Sequence, residues 1–288
     1  MRWFMMRAAA ALMLVLGARA QALPVTADFN YLRDEDGGQS LDADFSVAPT
    51  ERLTLHAGAG HSRGSEQTSD LSGTLLSAGA SWRARRGGAA LSWDSFDDSS
   101  NYQAATLGAR AWLTAGDFEF ALLGRRRDVS VDVTLELPLR TLRREVEFAG
   151  AGAGLEVAWS GDTVNAYVMA LEYDYDGDFD RFVDLIRSPE LAQRPRIEAL
   201  LGSVVTQTQG AIDRQAGVGC EFSLGRQSLG LDFSYVHDAL LDSDSQSLAL
   251  TYRRAQSAHF DWGVSAGLVS SEAFGDIGFL GVEIGLAN

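Results

Sequence analysis

The 288-residue sequence lacks several features on which other protein classes depend. Lysine is absent, Cys220 is the single cysteine, and only five prolines occur. A lone cysteine excludes an intramolecular disulfide. The 39 acidic residues outnumber the 24 arginines, so the formal net charge is −15. Nucleic-acid binding needs a basic surface, and no nucleic-acid partner is therefore expected.

Long apolar runs are also missing. After the N terminus, no stretch reaches the ~18 consecutive apolar residues that a membrane helix requires. A short apolar run from Ala8 to Leu16 follows Arg7 and precedes the small residues of Ala20-Gln21-Ala22. This pattern is typical of a secretory signal peptide. We predict that residues 1–22 are a cleaved signal and that residues 23–288 form one domain.

The sequence does have period-two alternation along nearly its whole length. In Leu41–Val47 the odd positions are apolar and the even positions are polar, and Leu107–Leu113 and Leu280–Leu286 alternate in the same way. Such alternation indicates β-strands with one apolar and one polar face. The 30 glycines suit strands that are joined by tight turns.

The connections between these strands alternate in length. Short turns such as Arg85–Gly88 and Gly225–Gln227 are interleaved with longer polar segments such as Asp34–Gly38 and Asp97–Asn101. The count is about fourteen strands, within a range of about 12 to 16, with both chain ends on the short-turn side; outer-membrane barrels have even strand numbers, short periplasmic turns and longer external loops. The sequence therefore predicts an all-β fold, a transmembrane antiparallel up-and-down β-barrel.

Three segments depart from simple alternation. The apolar phase changes around Arg125–Asp128, which we interpret as a β-bulge inside one long strand. Pro138–Arg144 is interpreted as a long external loop. The 176–212 connection contains helical spacing between Phe179 and Val205, which predicts a long external loop with helical segments. Such a loop either narrows the barrel mouth or rests on its rim.

The polar face is too highly charged to be a second hydrophobic core, which favours a barrel in lipid over a soluble β-sandwich. Six aromatic residues near predicted strand ends suit the two interfaces of a membrane: Trp82, Trp93, Trp159, Tyr235, Tyr252 and Trp262. The polar residues are then expected to face the lumen, where acids outnumber arginines and favour cations. The predicted lumen-facing residues are Asp42, Asp44, Arg52, His56, Arg110, Glu119, Arg125, Glu156, Glu221, Asp232, Asp261 and Glu283.

With these features the chain resembles the outer-membrane β-barrel superfamily of Gram-negative bacteria over Leu23–Asn288. The last strand is its most specific part, because Leu280–Leu286 alternates like the assembly signal of such proteins, although the chain ends on Asn288 where Phe or Trp is usual. The resemblance is one of architecture and indicates no single family. It implies the cell outer membrane as the location, with membrane lipid and the outer-membrane assembly machinery as partners.

Three functions remain open from the sequence. A porin-like barrel would pass small hydrophilic solutes without cofactor, metal or covalent chemistry. A non-conducting barrel would bind a partner or a surface polymer through its external loops. An outer-membrane hydrolase would need a nucleophile or an activated water beside a base, and His61-Ser62 and His237-Asp238 do not reproduce the spacing of known examples. We expect a non-enzymatic protein; its oligomeric state does not follow from the sequence.

The acidic segment Asp174–Asp180 has enough carboxylates to suggest a calcium site. The helix-loop-helix calcium pattern, however, requires glycine at its sixth position and glutamate at its twelfth, where this chain has Phe179 and Leu185. We interpret the segment as a solvated acidic loop.

Overall fold

The computed structural model describes residues 23–64, 72–98, 102–137, 140–176, 211–239, 242–272 and 275–288, with the side chains of 132–144 excepted. The predicted signal peptide and the predicted helical segments of the 176–212 connection lie outside these residues, apart from the ends of that connection. Within the described ranges, no helix has the length and hydropathy needed to cross a membrane.

Fourteen antiparallel strands form one closed barrel in which each strand pairs with its neighbours in the chain. The strands are β1 Val25–Asp34, β2 Gln39–Thr50, β3 Leu53–Arg63, β4 Ser72–Ala84, β5 Gly87–Asp98, β6 Tyr102–Ala115, β7 Phe118–Leu137, β8 Arg140–Ser160, β9 Val164–Tyr175, β10 Ile212–Leu224, β11 Gln227–Asp238, β12 Ser243–Ala255, β13 Phe260–Ser271 and β14 Gly275–Ala287. The predicted all-β barrel and its strand number are confirmed.

The barrel closes where β1 pairs with β14, in a register that places Phe29 opposite Ile284. Asn288 completes this seam: its side-chain Oδ1 accepts a hydrogen bond from the Val25 backbone N–H at 2.7 Å, and its Nδ2 donates to the Leu23 carbonyl at 3.2 Å. The amide side chain at the end of the chain therefore satisfies backbone groups beside the seam. An apolar aromatic side chain could not make both bonds.

Two predictions about β7 and β8 are wrong. The register of β7 with β6 and with β8 is continuous from Phe118 onward, so there is no bulge at Arg125–Asp128. Most of Pro138–Arg144 is strand, because β8 begins at Arg140 and Leu137 pairs with Arg140. The polar residues and the single proline of that segment suggested a loop, but backbone pairing extends as far as Leu137 and Arg140.

The outer face of the barrel carries its large apolar side chains in contact with the surroundings. Leu91, Leu113 and Leu280 are 60%, 70% and 67% exposed, respectively. Exposed apolar surface of this extent, wrapped around a closed sheet, suits contact with the hydrocarbon core of a membrane. Trp82, Trp159, Tyr235, Tyr252 and Trp262 share this outer face near strand ends. Trp93 does not fit the predicted interfacial position, because it lies in the middle of β5.

Candidate functional site

The candidate site is the inner face of the barrel, which lies opposite the exposed apolar residues on every strand. Successive residues of a strand point to opposite faces, so the register fixes the face of each side chain. Eleven of the twelve residues predicted to line the lumen lie on this inner face. They are Asp42, Asp44, His56, Arg110, Glu119, Arg125, Glu156, Glu221, Asp232, Asp261 and Glu283.

Arg52 is the exception, since it lies in the turn between β2 and β3. The Thr50 hydroxyl oxygen accepts hydrogen bonds from the backbone N–H groups of Arg52 and Leu53, at 3.3 and 3.1 Å. These bonds end the ladder at Thr50 and form a tight turn. The guanidinium of Arg52 is therefore exposed at the rim with short turns, which is the periplasmic rim in barrels of this kind.

Arg110 connects three strands on the inner face. One of its guanidinium nitrogens, Nη2, donates to Glu119 Oε1 at 2.6 Å and to Glu156 Oε1 at 2.7 Å. The guanidinium also lies 4.9 Å from the centre of the Trp112 ring, which is almost fully buried on the same face. Charge-assisted hydrogen bonds and the cation–π contact fix these side chains against the wall of β6–β8.

Two further contacts bridge alternate strands. Arg253 of β12 donates to Glu283 of β14, with Nη2 to Oε2 at 2.6 Å. The Tyr167 hydroxyl of β9 donates to Asp232 Oδ1 of β11 at 2.9 Å. The Tyr167 bond passes over Gly219 of β10, where a Cβ atom would collide with both partners. Glycine on the intervening strand thus lets long side chains lie flat along the wall.

An acidic wall occupies the inner face of β1 and β2, and we use this name for Asp28, Asp42 and Asp44. Asp28 and Asp44 are directly opposite each other across the two strands, and both are exposed. Ser40 donates a hydrogen bond to Asp42 at 2.8 Å. Like charges in directly opposed positions repel, so this arrangement costs stability. On β5, Asp94 lies within electrostatic reach of Arg125 and His56.

The inner face becomes apolar and buried toward the ends with long connections. Phe96, Tyr102, Val129 and Phe148 are each at most 5% exposed and pack in one cluster with Ala104 and Ala211. Arg127 is buried to a similar extent. Seven of the remaining strands also bury small or apolar inner residues at this end, namely Ser40, Ser62, Leu171, Tyr173, Val236, Ser243, Val269, Ser271 and Ile277. The inner surface is therefore buried around most of the circumference at the external end, with β1 as an exception.

The outer face of β5–β9, in contrast, becomes polar toward the ends with long connections. Near the external ends it carries Asp97, Asp128, Glu147, Glu172 and Asp174, all exposed. We call this region of β5–β9 the external part and the region nearer the short turns the membrane part. Polar outer and apolar inner residues are what a β-barrel in water requires. The external part is thus arranged like part of the wall of a soluble barrel, continuous with the wall of a membrane barrel.

Sequence reasoning missed the inward aromatic residues of the external part. Phe96 lies two residues beyond Asp94, and Val129 lies two beyond Arg127, so the unbroken period of two assigns both to the inner face. Following each strand in a single phase would have found them. Trp112 is found in the same way, two residues from Arg110.

Among the residues that the structure describes, neither His61 nor His237 is part of the arrangement that a hydrolase needs. His61 faces outward whereas Ser62 faces inward and is buried, so the two adjacent side chains cannot meet. His237 Nδ1 lies 2.7 Å from Asp244 Oδ1, but its Nε2 faces the carboxylates of Asp213 and Asp242, at 3.9 and 3.7 Å. Base and orienting acid are paired, while carboxylates occupy the place where a nucleophile would be needed.

The acidic segment after β9 is only partly described. Asp174 is on the outer face and Asp176 follows the strand, where its Oδ2 accepts a hydrogen bond from the Ala149 N–H at 3.1 Å. Among the residues that the structure describes, no group of three or more metal-ligating side chains is arranged to hold an ion. Asp178 and Asp180 lie outside the described residues.

Comparisons with known proteins give neighbours in structure alone. No protein-family model matches the chain, and no curated protein sequence matches it. A loop L8 deletion mutant of OmpT, an outer membrane protein of Vibrio cholerae, superposes with a TM-score of 0.52 at 9% identity, covering 92% of this chain and 98% of that one. The chain has the fold of an outer-membrane β-barrel. Together with the apolar outer face, this fold assigns it to the cell outer membrane.

Other structures of outer-membrane barrels are similar over the same extent. OccAB1 of Acinetobacter baumannii has a TM-score of 0.48 at 8% identity, covering 92% of this chain and 96% of that one. The KdgM porin has a TM-score of 0.45 at 8% identity, covering 91% and 98%. At such low identity these likenesses concern fold, and they indicate no specific family.

Proposed function

We propose that the barrel is a porin-like channel that passes small hydrophilic solutes and prefers cations. The observation that supports this most directly is the acidic wall, since Asp28 and Asp44 are exposed on the inner face without a basic residue directly opposite. Exposed carboxylates on the inside of a membrane barrel require water there. Fourteen strands enclose enough space for a hydrated lumen.

Acidic residues on the walls of a pore raise the local concentration of cations and lower that of anions. Arg110 and Arg253 are each paired with a glutamate, which reduces their effect on passing ions. The acidic wall has no basic residue directly across the β1–β2 ladder. We therefore expect the sign of the selectivity to depend on Asp28 and Asp44.

A second candidate is a barrel that does not conduct. It is favoured by the buried inner residues at the external end, because side chains such as Phe96 and Phe148 are almost inaccessible to water. In that case the acidic wall would face a vestibule that opens only toward the short turns. The external surface would then be the functional part, as a site for a partner or a surface polymer.

Single-channel recording in planar bilayers under a KCl gradient separates the two candidates. If the barrel is a cation-selective channel, we expect discrete conductance steps and a reversal potential that is shifted toward the equilibrium potential of potassium. The double variant D28N/D44N should move that potential toward zero, whereas D117N, in the exposed turn between β6 and β7, should leave it unchanged. A protein that shows the heat-dependent gel shift of a folded barrel but no steps would reject the channel in favour of the second candidate.

A further inference from the structure

The outer face of β4–β6 contains an apolar trough near the short turns. Its floor consists of alanines, and Trp82 and Leu122 form its sides. The register sets these residues in one row: Trp82 is opposite Ala89, Ala89 is opposite Ala111, and Ala111 is opposite Leu122. Two methyl groups between an indole and a leucine side chain leave a depression, which we call the alanine trough. In the next row Leu91 stands between Ala80 and Ala109.

The trough ends at a basic turn. Arg85 and Arg86 form the whole connection between β4 and β5, and Arg86 lines the end of the trough. The Thr114 N–H donates to the Arg86 carbonyl at 3.0 Å, which holds the turn against β6. Both arginine side chains are exposed. The turn thus has two cations and no acid in a chain with a net charge of −15.

We propose that this surface binds an anionic phospholipid of the leaflet that faces the short turns. One acyl chain lies in the alanine trough, where closer packing against methyl groups replaces looser contacts with bulk lipid. The lipid phosphate lies beside Arg85 and Arg86, which supply charge complementarity. Trp82 is half exposed at the side of the trough and suits the boundary between acyl chain and headgroup.

A second copy of the chain fits the same surface less well. Two barrels in one membrane that meet through this trough would be related by an axis along the membrane normal, and identical patches would face each other. The Arg85–Arg86 turns of both copies would then approach at the same depth and repel. A lipid with a negative headgroup removes this repulsion instead of creating it. The proposal holds whether or not the lumen conducts.

Native mass spectrometry of the purified barrel tests the charge requirement. Phosphatidylglycerol and phosphatidylcholine with identical acyl chains are added in turn, and retained lipid is measured. We expect the wild type to retain phosphatidylglycerol in preference, by about fivefold for each arginine near the headgroup. The R85Q/R86Q variant should lose this preference, while R226Q, in the exposed turn between β10 and β11, should keep it. Equal retention of both lipids by the wild type, or a preference that survives in R85Q/R86Q, would overturn the proposal.

Filling the trough tests the acyl-chain contact separately. The A111L variant should reduce retention of both lipids, because the larger side chain occupies the space between Trp82 and Leu122. The A266L variant is the control, since Ala266 is exposed on the outer face of β13 between Leu250 and Leu280. Retention that is unchanged in A111L would overturn the proposal, as would a lipid-free dimer that A111L dissociates. Both variants must show the heat-dependent gel shift of the wild type.

Discussion

The membrane part and the external part of β5–β9 place their polar and apolar residues on opposite faces of the same strands. On β7, Leu122 faces outward and Glu119 faces inward in the membrane part, whereas Asp128 faces outward and Val129 faces inward in the external part. The backbone register does not change between them. What changes is the polarity of each face, as expected if lipid surrounds the membrane part and water surrounds the external part.

This inversion shows that period two alone determines which residues share a face. It does not determine which face is apolar, because that depends on the solvent outside. Hydrocarbon outside and water inside require apolar residues on the outer face. Water outside requires apolar residues on the inner face, where they pack into a core such as that of Phe96 and Phe148. The change of phase near Arg125 marks the level of this transition.

The largest expected effect comes from placing a charge inside the external part. Ala104 is 4% exposed within the apolar cluster, so A104D buries a carboxylate without a partner. We expect the free energy of unfolding to fall by about 3–5 kcal/mol. The matched variant S81D adds the same group to the inner face of β4 near its short turn, where the residue is only half buried. It should cost less than about 1 kcal/mol.

Urea unfolding in detergent micelles, followed by tryptophan fluorescence, measures both variants. Similar losses in A104D and S81D would mean that the inner face is uniform along the barrel axis. The distinction between the two parts would then be wrong for the interior.

The outer face gives the next largest effect. Leu250 is half exposed in the middle of β12, between Leu231 and Ala266 on the neighbouring strands. An arginine at such a depth should destabilise the barrel by about 2–4 kcal/mol in lipid vesicles. Ser130 is on the outer face of the external part, where S130R should change stability by about 0.5 kcal/mol or less. If S130R is as costly as L250R, lipid rather than water surrounds the external part.

Arg110 offers a smaller effect within the membrane part. In R110Q, Glu119 and Glu156 lose their shared cation, and we expect a loss of about 1–3 kcal/mol. The control R83Q changes an exposed arginine of β4 and should cost less than about 0.5 kcal/mol. A double-mutant cycle with E156Q should show coupling of at least about 0.5 kcal/mol. If the two losses of stability are strictly additive, the interaction between Arg110 and Glu156 does not stabilise the barrel.

The sequence was sufficient for the number of strands and for the face of most of the inner residues that it predicted, but not for every connection. Alternation in segments such as Leu41–Val47 specifies both strand and face, so the fold could be predicted without the structure. Three features could not be predicted from the sequence. The continuity of β7 depends on pairing with β6 and β8, the turn at Arg52 depends on the Thr50 hydroxyl, and the contact of Tyr167 with Asp232 requires a specific register across β10. The pairing of β7 and the Tyr167 contact arise from neighbours that are distant in sequence, whereas the Thr50 contact is local and period-two alternation does not indicate it.

The smallest expected effect concerns the acidic wall, where directly opposed carboxylates repel each other. Asp28 and Asp44 are directly opposed, so D44N should remove a repulsion and raise the free energy of unfolding by about 0.2–1 kcal/mol. D232N is the matched control, because it weakens the acceptor of the Tyr167 hydroxyl and should lower stability by about 0.5–1.5 kcal/mol. The urea midpoints of D44N and D232N, measured under the same conditions, show whether each change raises or lowers the free energy of unfolding. If D44N also destabilises, Asp44 has a structural partner, and its exposure on the inner face would no longer support a role in cation passage.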